Sequence, residues 1–445
     1  MTSREVALAI LRDVFPAPGT SERSAQESLD YRTRKAGLAP RDRAFATELA
    51  YGSIKMRRTL DWYLQPYVGG RGKPLPPAIS EIVRLGAYEI LYTRADEHAA
   101  VNEWVNVAKK YGHRGTAGLV NAVLRGLLRD KPVAPDASSF EDPDEFLGTR
   151  YSFPTWIVRR FREVFGTDSL EAILEGCNAP AKTAVTVNRA RATREQIAAL
   201  FDGWGSGTNP SLACEDSLLV ADASEARAHE AAAAGTWWIQ SESSAMPVDI
   251  LNPQPDETVL DVCSGRGNKA MQTAARRGEE SMGLTCIERD PRKVEGLRDR
   301  LASAGFSAAI VTGDAVEIAR AADVRYDRIL LDAPCSGIGV LGRHPEARWR
   351  KNPGDGDRLS ETQAALLDAL VPCLHPGGVL VYAVCSVDAR ETTQVVERVL
   401  RSHNVERGLM PGRYEAFIDE RGDAIVPPGI DGRDGFYIAR LERRL

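Results

Sequence analysis

From residue 235 to the C-terminus, apolar strand-like runs alternate with helical stretches, and this alternation constrains the architecture more than any other feature. Thr258–Val262, Met282–Glu288, Ala308–Thr312, Tyr326–Asp332 and Gly378–Ala383 read as strands, and Gly435–Leu441 as a last one. Strands separated by helices need crossover connections, so a mainly parallel sheet covered by helices is predicted. Such a sheet receives its ligands at the carboxyl ends of its strands.

The remainder of the 445-residue chain reads differently. Residues 1–131 carry apolar residues at helical spacing, as in Val6, Ala9, Ile10 and Val14 or in Ile79, Ile82, Val83 and Leu85. No β-branched alternation interrupts them, so residues 1–135 are expected to form an all-helical bundle. Residues 132–149 are rich in proline and acid and read as a linker. Residues 150–234 mix a strand at Thr183–Asn188 with a helix at Arg194–Phe201, giving a small α+β connecting subdomain. The catalytic part would span 235–445.

Charge follows the same division. The net charge is -5, but residues 1–131 carry 21 basic and 14 acidic side chains, whereas residues 132–445 carry 36 and 48. A basic module suits a polyanionic partner, and Lys109, Lys110, His113, Arg114, Arg125 and Arg129 are candidates for one basic face. A solvated helix face gives the same count. No run of 18 apolar residues is present, so no membrane span is predicted. The seven cysteines include no C-x-x-C pair and no zinc-like spacing, so no metal is expected. Without a secretory signal they read as reduced cytoplasmic thiols.

Three segments carry chemistry. In the first, the strand Thr258–Val262 leads into Cys263, Ser264, Gly265, Arg266, Gly267, Asn268 and Lys269, and then a helix. Glycines let a backbone approach a ligand closely. Glu288, 21 residues beyond Gly267, suits a ribose diol, and Asp314 after the third strand could accept an adenine amino group. The third glycine of a nicotinamide-dinucleotide fingerprint is missing, which points to S-adenosylmethionine. An ordinary βα turn remains the alternative. The second segment is Asp332-Ala333-Pro334-Cys335-Ser336-Gly337, and the third is Tyr382-Ala383-Val384-Cys385-Ser386. Two cysteines 50 residues apart at successive strand ends would face one cleft.

These motifs resemble those of the RNA 5-methylcytosine methyltransferases, most closely the bacterial ribosomal RNA small-subunit methyltransferase B group. The two Cys-Ser segments match that family's paired-cysteine motifs. Arg343-His344-Pro345-Glu346-Ala347-Arg348-Trp349, Gln240-Ser241-Glu242-Ser243-Ser244 and Asp434-Gly435-Phe436-Tyr437 match further segments. Residues 41–66 and 84–128 resemble a NusB-like helical domain. One loop departs: where the family usually has D-x-C-A-A-P-G-G-K, Arg266 stands for Pro and Asn268 for Gly.

The resemblance implies a NusB-like RNA-binding bundle, an α+β connector and a Rossmann-like class I methyltransferase domain. It implies Cys385 as nucleophile towards C6 of cytosine, Cys335 as the residue assisting release, and Asp332 as the acid at the N3 edge. Lys269 would organise Asp332 and the cofactor pocket. Residues 263–269, Glu288, Asp314 and Asp332 would hold S-adenosylmethionine. The expected substrate is 16S rRNA or a small-subunit assembly intermediate, by resemblance at cytosine 967, met by a monomer. The rival expectations are the same chemistry on tRNA or 23S rRNA, and an RNA-binding assembly protein with weakened cofactor binding.

Overall fold

The computed structural model describes residues 1–16, 19–68, 74–230, 235–278 and 283–445. They divide into two compact units. One comprises Met1–Arg162 with Arg343–Arg350, the other Glu163–Gly342 with Lys351–Leu445.

The first unit is helical. Its helices include α1 (Ser3–Val14), α2 (Ala25–Ala36), α3 (Pro40–Lys55), α4 (Arg57–Val68), α5 (Pro77–Tyr92), α6 (Glu97–Tyr111), α7 (Arg114–Asp130) and α8 (Pro143–Arg150). Local chemistry sets their ends. Thr2 with Glu5, and Ser24 with Glu27, form capping boxes that satisfy the first N–H groups of α1 and α2. The apolar faces meet in one core that includes Val6, Ile10, Leu49, Ile82, Trp104 and Leu124. The expected linker is partly ordered: Asp142 caps α8 and Pro143 occupies its first turn. The proline run that reads as a break is here a helix start, where a missing N–H costs nothing.

Residues Arg343–Arg350 pack inside this helical unit. The Arg348 side chain is fully buried, its guanidinium 3.8 Å from the Phe153 ring centre. It donates to the carbonyls of Lys55 and Ser152, and the Trp349 indole donates to that of Ile54.

The second unit holds two sheets. The smaller contains β1 (Thr183–Val187), β2 (Thr208–Pro210), β3 (Ser217–Val220) and β4 (Trp237–Ile239), antiparallel in the order β2-β3-β1-β4. β4 lies beyond residue 234, where the catalytic part was expected to begin. Ala231–Ala234 themselves lie outside the described residues. The larger sheet contains β5 (Val259–Val262), β6 (Leu284–Glu288), β7 (Ala309–Thr312), β8 (Tyr326–Asp332), β9 (Leu374–Val384), β10 (Val405–Arg407), β11 (Ala424–Val426) and β12 (Phe436–Arg443). The order is β10-β12-β9-β8-β5-β6-β7, with β11 on β12. β5 to β9 are parallel, and β12 enters antiparallel beside β9. The expected start of β6 at Met282 lies outside the described residues.

Helices cover both faces of this sheet over two apolar cores, one around Leu330, Val381 and Ile438, the other around Ile329, Leu380 and Tyr437. Consecutive residues of β8 and β9 thus point to opposite cores, which is why these strands are apolar throughout. The chain order reverses between β6-β5 and β8-β9, so β5 and β8 flank the switch point where a parallel sheet opens a crevice at its carboxyl edge.

Among the described residues, Cys214, Asp216 and Asp249 are buried within 4.8 Å of one another. The Arg276 guanidinium donates to Asp216 at 2.5 Å and to Asp249, so a cation already lies between these carboxylates. No helix among the described residues is long and apolar enough to cross a membrane.

Candidate active site

Every chemical segment named from sequence leaves a strand at the carboxyl edge of the large sheet. β5 ends at Val262 and turns through Cys263–Gly267 into the helix Asn268–Arg277. Gly265 and Gly267 adopt φ of 60° and 88°, and so does Cys263, at 61°. A Cβ at Gly267 would come within 2.6 Å of Leu297 Cδ1, so a side chain there would also have to displace the Leu297 tip. Asn268, in contrast, is the first helical residue, with no left-handed backbone. Its replacement of glycine is therefore conformationally ordinary. Arg266 is exposed.

Glu288 ends β6 and is buried. Its Oε2 accepts the Gly265 N–H and its Oε1 the Asp290 N–H, both at 2.8 Å. The carboxylate braces the loop, and each oxygen keeps a lone pair for a ligand hydroxyl. Asp314 follows β7 and caps the next short helix through the N–H groups of Val316 and Glu317. Its other oxygen is 3.9 Å from Arg289.

Asp261, in β5, is fully buried, and neither carboxylate oxygen has a hydrogen-bond partner. Burial, then the charge of Asp332, pushes its carboxyl up to about 7. Burial and the charges of Asp332, Glu288 and Asp261 push the Cys263 thiol up to about 12. This concentration of negative charge, with orphaned carboxylate oxygens beside a glycine-lined turn, fits a cationic nucleoside ligand.

The helix behind the loop carries Lys269. Its Nζ lies 2.6 Å from Asp332 Oδ2 at the end of β8 and 3.0 Å from Ser244 Oγ, with the Phe436 ring centre at 5.6 Å. Ser244 sits in the first turn of the helix Glu242–Leu251, and Ser241 caps that helix. The segments at 240–244 and 434–437 therefore meet around one ammonium group. Sequence reading left Ser244 without a role.

Cys335 and Cys385 follow β8 and β9, and their Sγ atoms are 3.2 Å apart. The Cys335 thiol is held well above the usual range, first by its contact with Cys385, then by burial and the charges of Glu391 and Asp332. The loop after Cys335 is pinned where the Gly339 N–H donates to the Cys385 carbonyl at 3.0 Å. A Cβ at Gly339 would strike the Gly435 oxygen at 2.1 Å. Beneath the thiols lie Ser336, Ser386, Gln363 and Glu391, all buried and none singled out in the sequence. The repeated Cys-Ser pair was the available signal for the two serines.

In the helical unit, the expected basic face is partly neutralised. Lys110 pairs with Glu5 at 2.5 Å and Arg129 with Asp130 at 2.8 Å. Lys109, His113 and Arg114 border a groove of about 520 Å3 between α6 and α7.

Comparison with known proteins finds three family matches along the chain. Residues 1–129 match the NusB family, 153–227 the Methyltr_RsmF/B-like ferredoxin-like domain, and 248–442 the 16S rRNA methyltransferase RsmB/F family. A probable ribosomal RNA small subunit methyltransferase B of Bacillus subtilis is 30% identical over 92% of each chain. One of Synechocystis is 31% identical over 100% of each, and that of Vibrio cholerae is 30% identical over 92% of this chain and 91% of that one. The solved structure of PH0851 superposes with a TM-score of 0.82 at 21% identity, over 100% of this chain and 99% of that one. A methyltransferase homolog protein from Pyrococcus horikoshii gives 0.58 at 19%, over 68% and 100%. The fold is accordingly a NusB-type helical domain, a ferredoxin-like subdomain and a Rossmann-like methyltransferase domain. The chain belongs to the 16S rRNA methyltransferase RsmB/F family.

Proposed function

We propose that the protein methylates C5 of a cytosine in 16S rRNA, by resemblance cytosine 967, with S-adenosylmethionine as methyl donor. The observation that carries this reading is the thiol pair at 3.2 Å beside the Lys269–Asp332 ion pair, at the switch point of a methyltransferase sheet. C5 of cytosine is a weak nucleophile. The Cys385 thiolate would add to C6, making the ring enamine-like and C5 nucleophilic. S-adenosylmethionine, when bound, supplies the electrophilic methyl group. Loss of the C5 proton and cleavage of the C6–S bond then restore the aromatic ring and free Cys385.

Asp332 would act as the acid at the N3 edge, with Lys269 holding its other oxygen. Cys335 would assist release. Residues 263–269, Glu288, Asp314 and Asp332 would hold the donor, Glu288 on the ribose and Asp314 on the adenine. The target base must leave its stack to reach these groups. Residues 1–135 would dock 16S rRNA or a small-subunit assembly intermediate through phosphate contacts. Residues 150–234 would connect them to the catalytic part at 235–445. The protein would act as a cytoplasmic monomer.

The test is transfer of labelled methyl from S-adenosylmethionine to 16S rRNA, with the product nucleoside identified by mass spectrometry. 5-Methylcytidine is the expected product. Transfer only to tRNA or 23S rRNA would move the substrate assignment, and no transfer with RNA binding intact would favour an assembly role.

A further inference from the structure

Glu391 lies outside every motif named above, yet its carboxylate is fully buried and receives four donors. Oε1 accepts the Ser336 N–H at 2.8 Å and Gln363 Nε2 at 3.2 Å. Oε2 accepts the hydroxyls of Ser336 and of Ser386, the latter at 2.6 Å. Those two hydroxyls are themselves 3.1 Å apart. Ser336 directly follows Cys335, and Ser386 directly follows Cys385. Gln363 also donates to the Pro334 carbonyl, on the other side of Cys335. The main chain of Glu391 is fixed as well, because the Tyr382 hydroxyl donates to its carbonyl at 2.6 Å.

A buried carboxylate is costly unless its oxygens are satisfied. Here three of the four bonds come from the residues that follow the two cysteines. The fourth comes from a side chain that grips the residue before one of them. Neither strand end fixes its cysteine alone, since both Cys335 and Cys385 lie past the last sheet hydrogen bonds of β8 and β9.

We propose that Glu391 is the positioning residue of the thiol pair: it clamps the Cys335 and Cys385 loops to one carboxylate and so sets the spacing of the two sulfurs. The inference deepens the cytosine-methylation reading and rests on it for its catalytic consequence. The geometric part stands by itself. Removing the clamp lets the loops part, and displacements of about 1 Å in a reacting group cost on the order of 100-fold in rate.

The experiment uses the full-length protein with Glu391→Ala, Glu391→Gln, Ser336→Ala and Ser386→Ala, and two readouts. The first needs no substrate: diamide takes up the two thiol hydrogens and leaves a Cys335–Cys385 disulfide, whose formation rate reports the sulfur spacing. The second is steady-state methylation of 16S rRNA. Glu391→Ala should slow disulfide formation roughly 10-fold or more and lower kcat by about 100-fold, with KM for both substrates unchanged. Glu391→Gln, which keeps one acceptor oxygen, should fall between Ala and wild type. Should Glu391→Ala fail to fold, Glu391→Gln and the serine variants carry the test, each slowing the disulfide more than twofold. Folded variants with wild-type disulfide rates would overturn the clamp. A slowed disulfide in a protein that methylates no RNA would uphold the clamp and remove the methylation reading.

Discussion

The Sγ atoms of Cys335 and Cys385 stand 3.2 Å apart, although the residues are separated by 50 positions in the chain. The roles proposed for the two thiols differ, so their variants should fail in different ways. Cys385→Ala should abolish both methyl transfer and covalent attachment to RNA. Cys335→Ala should form the attachment but release it slowly, so that a protein–RNA adduct survives denaturing electrophoresis. An active Cys385→Ala enzyme would sink the assignment of nucleophile.

The ammonium of Lys269 is the cation that reaches Asp332 at 2.6 Å. Lys269→Met removes the charge but keeps much of the apolar stem. Because acid–base assistance is worth about 100- to 10,000-fold, kcat should fall by at least the lower figure, and S-adenosylmethionine affinity by only a few-fold. Rapid-quench kinetics and calorimetry separate the two. An unchanged kcat would leave Lys269 as a helix-start residue only.

Asp261 makes stability depend on pH in an unusual direction. Its folded-state carboxyl is raised from 3.8 to about 7, so the folded protein binds this proton more tightly than the unfolded chain does. The stability it contributes is present below about pH 4 and is lost as pH climbs through about 7. Asp261→Asn removes this loss. The Tm of the variant relative to wild type should therefore rise between pH 5 and pH 8, on the order of a few kcal/mol in stability. A gap that stays constant across that range would contradict the raised carboxyl.

The altered cofactor loop should bind S-adenosylmethionine despite its two replacements. Asn268 takes ordinary helical backbone, and Arg266 is exposed, where one charge is worth at most about 1 kcal/mol. Arg266→Pro should tighten binding by no more than about 5-fold, as read by calorimetry. A change of 100-fold would mean that Arg266 reaches the ligand.

How far the sequence showed all this depends on the range of the interactions involved. The central strands β5, β6, β8 and β9 were legible because they are largely buried, which writes apolar runs, whereas the three-residue strands β10 and β11 were not read at all. Asp332, Cys335 and Cys385 were legible as residues at successive strand ends, and Lys269 through the resemblance of its loop to the family motif. β4 was missed because three residues, Trp237–Ile239, carry no periodicity, and α8 because Pro143 reads equally as a breaker or a first helical residue. Glu391 had no local signal at all, since its partners come from 336, 363 and 386. The left-handed Cys263 was equally silent, for nothing in its side chain favours φ of 61°.

The central claim is that Cys385 makes 5-methylcytosine in 16S rRNA. It is tested most directly by bisulfite sequencing of rRNA from a strain lacking the protein, complemented with wild type or with Cys385→Ala. The account predicts that one 16S cytosine loses its protection from deamination, regains it with the wild-type protein and stays unprotected with Cys385→Ala. Unchanged protection of every 16S cytosine in the lacking strain, or restoration by Cys385→Ala, would contradict it.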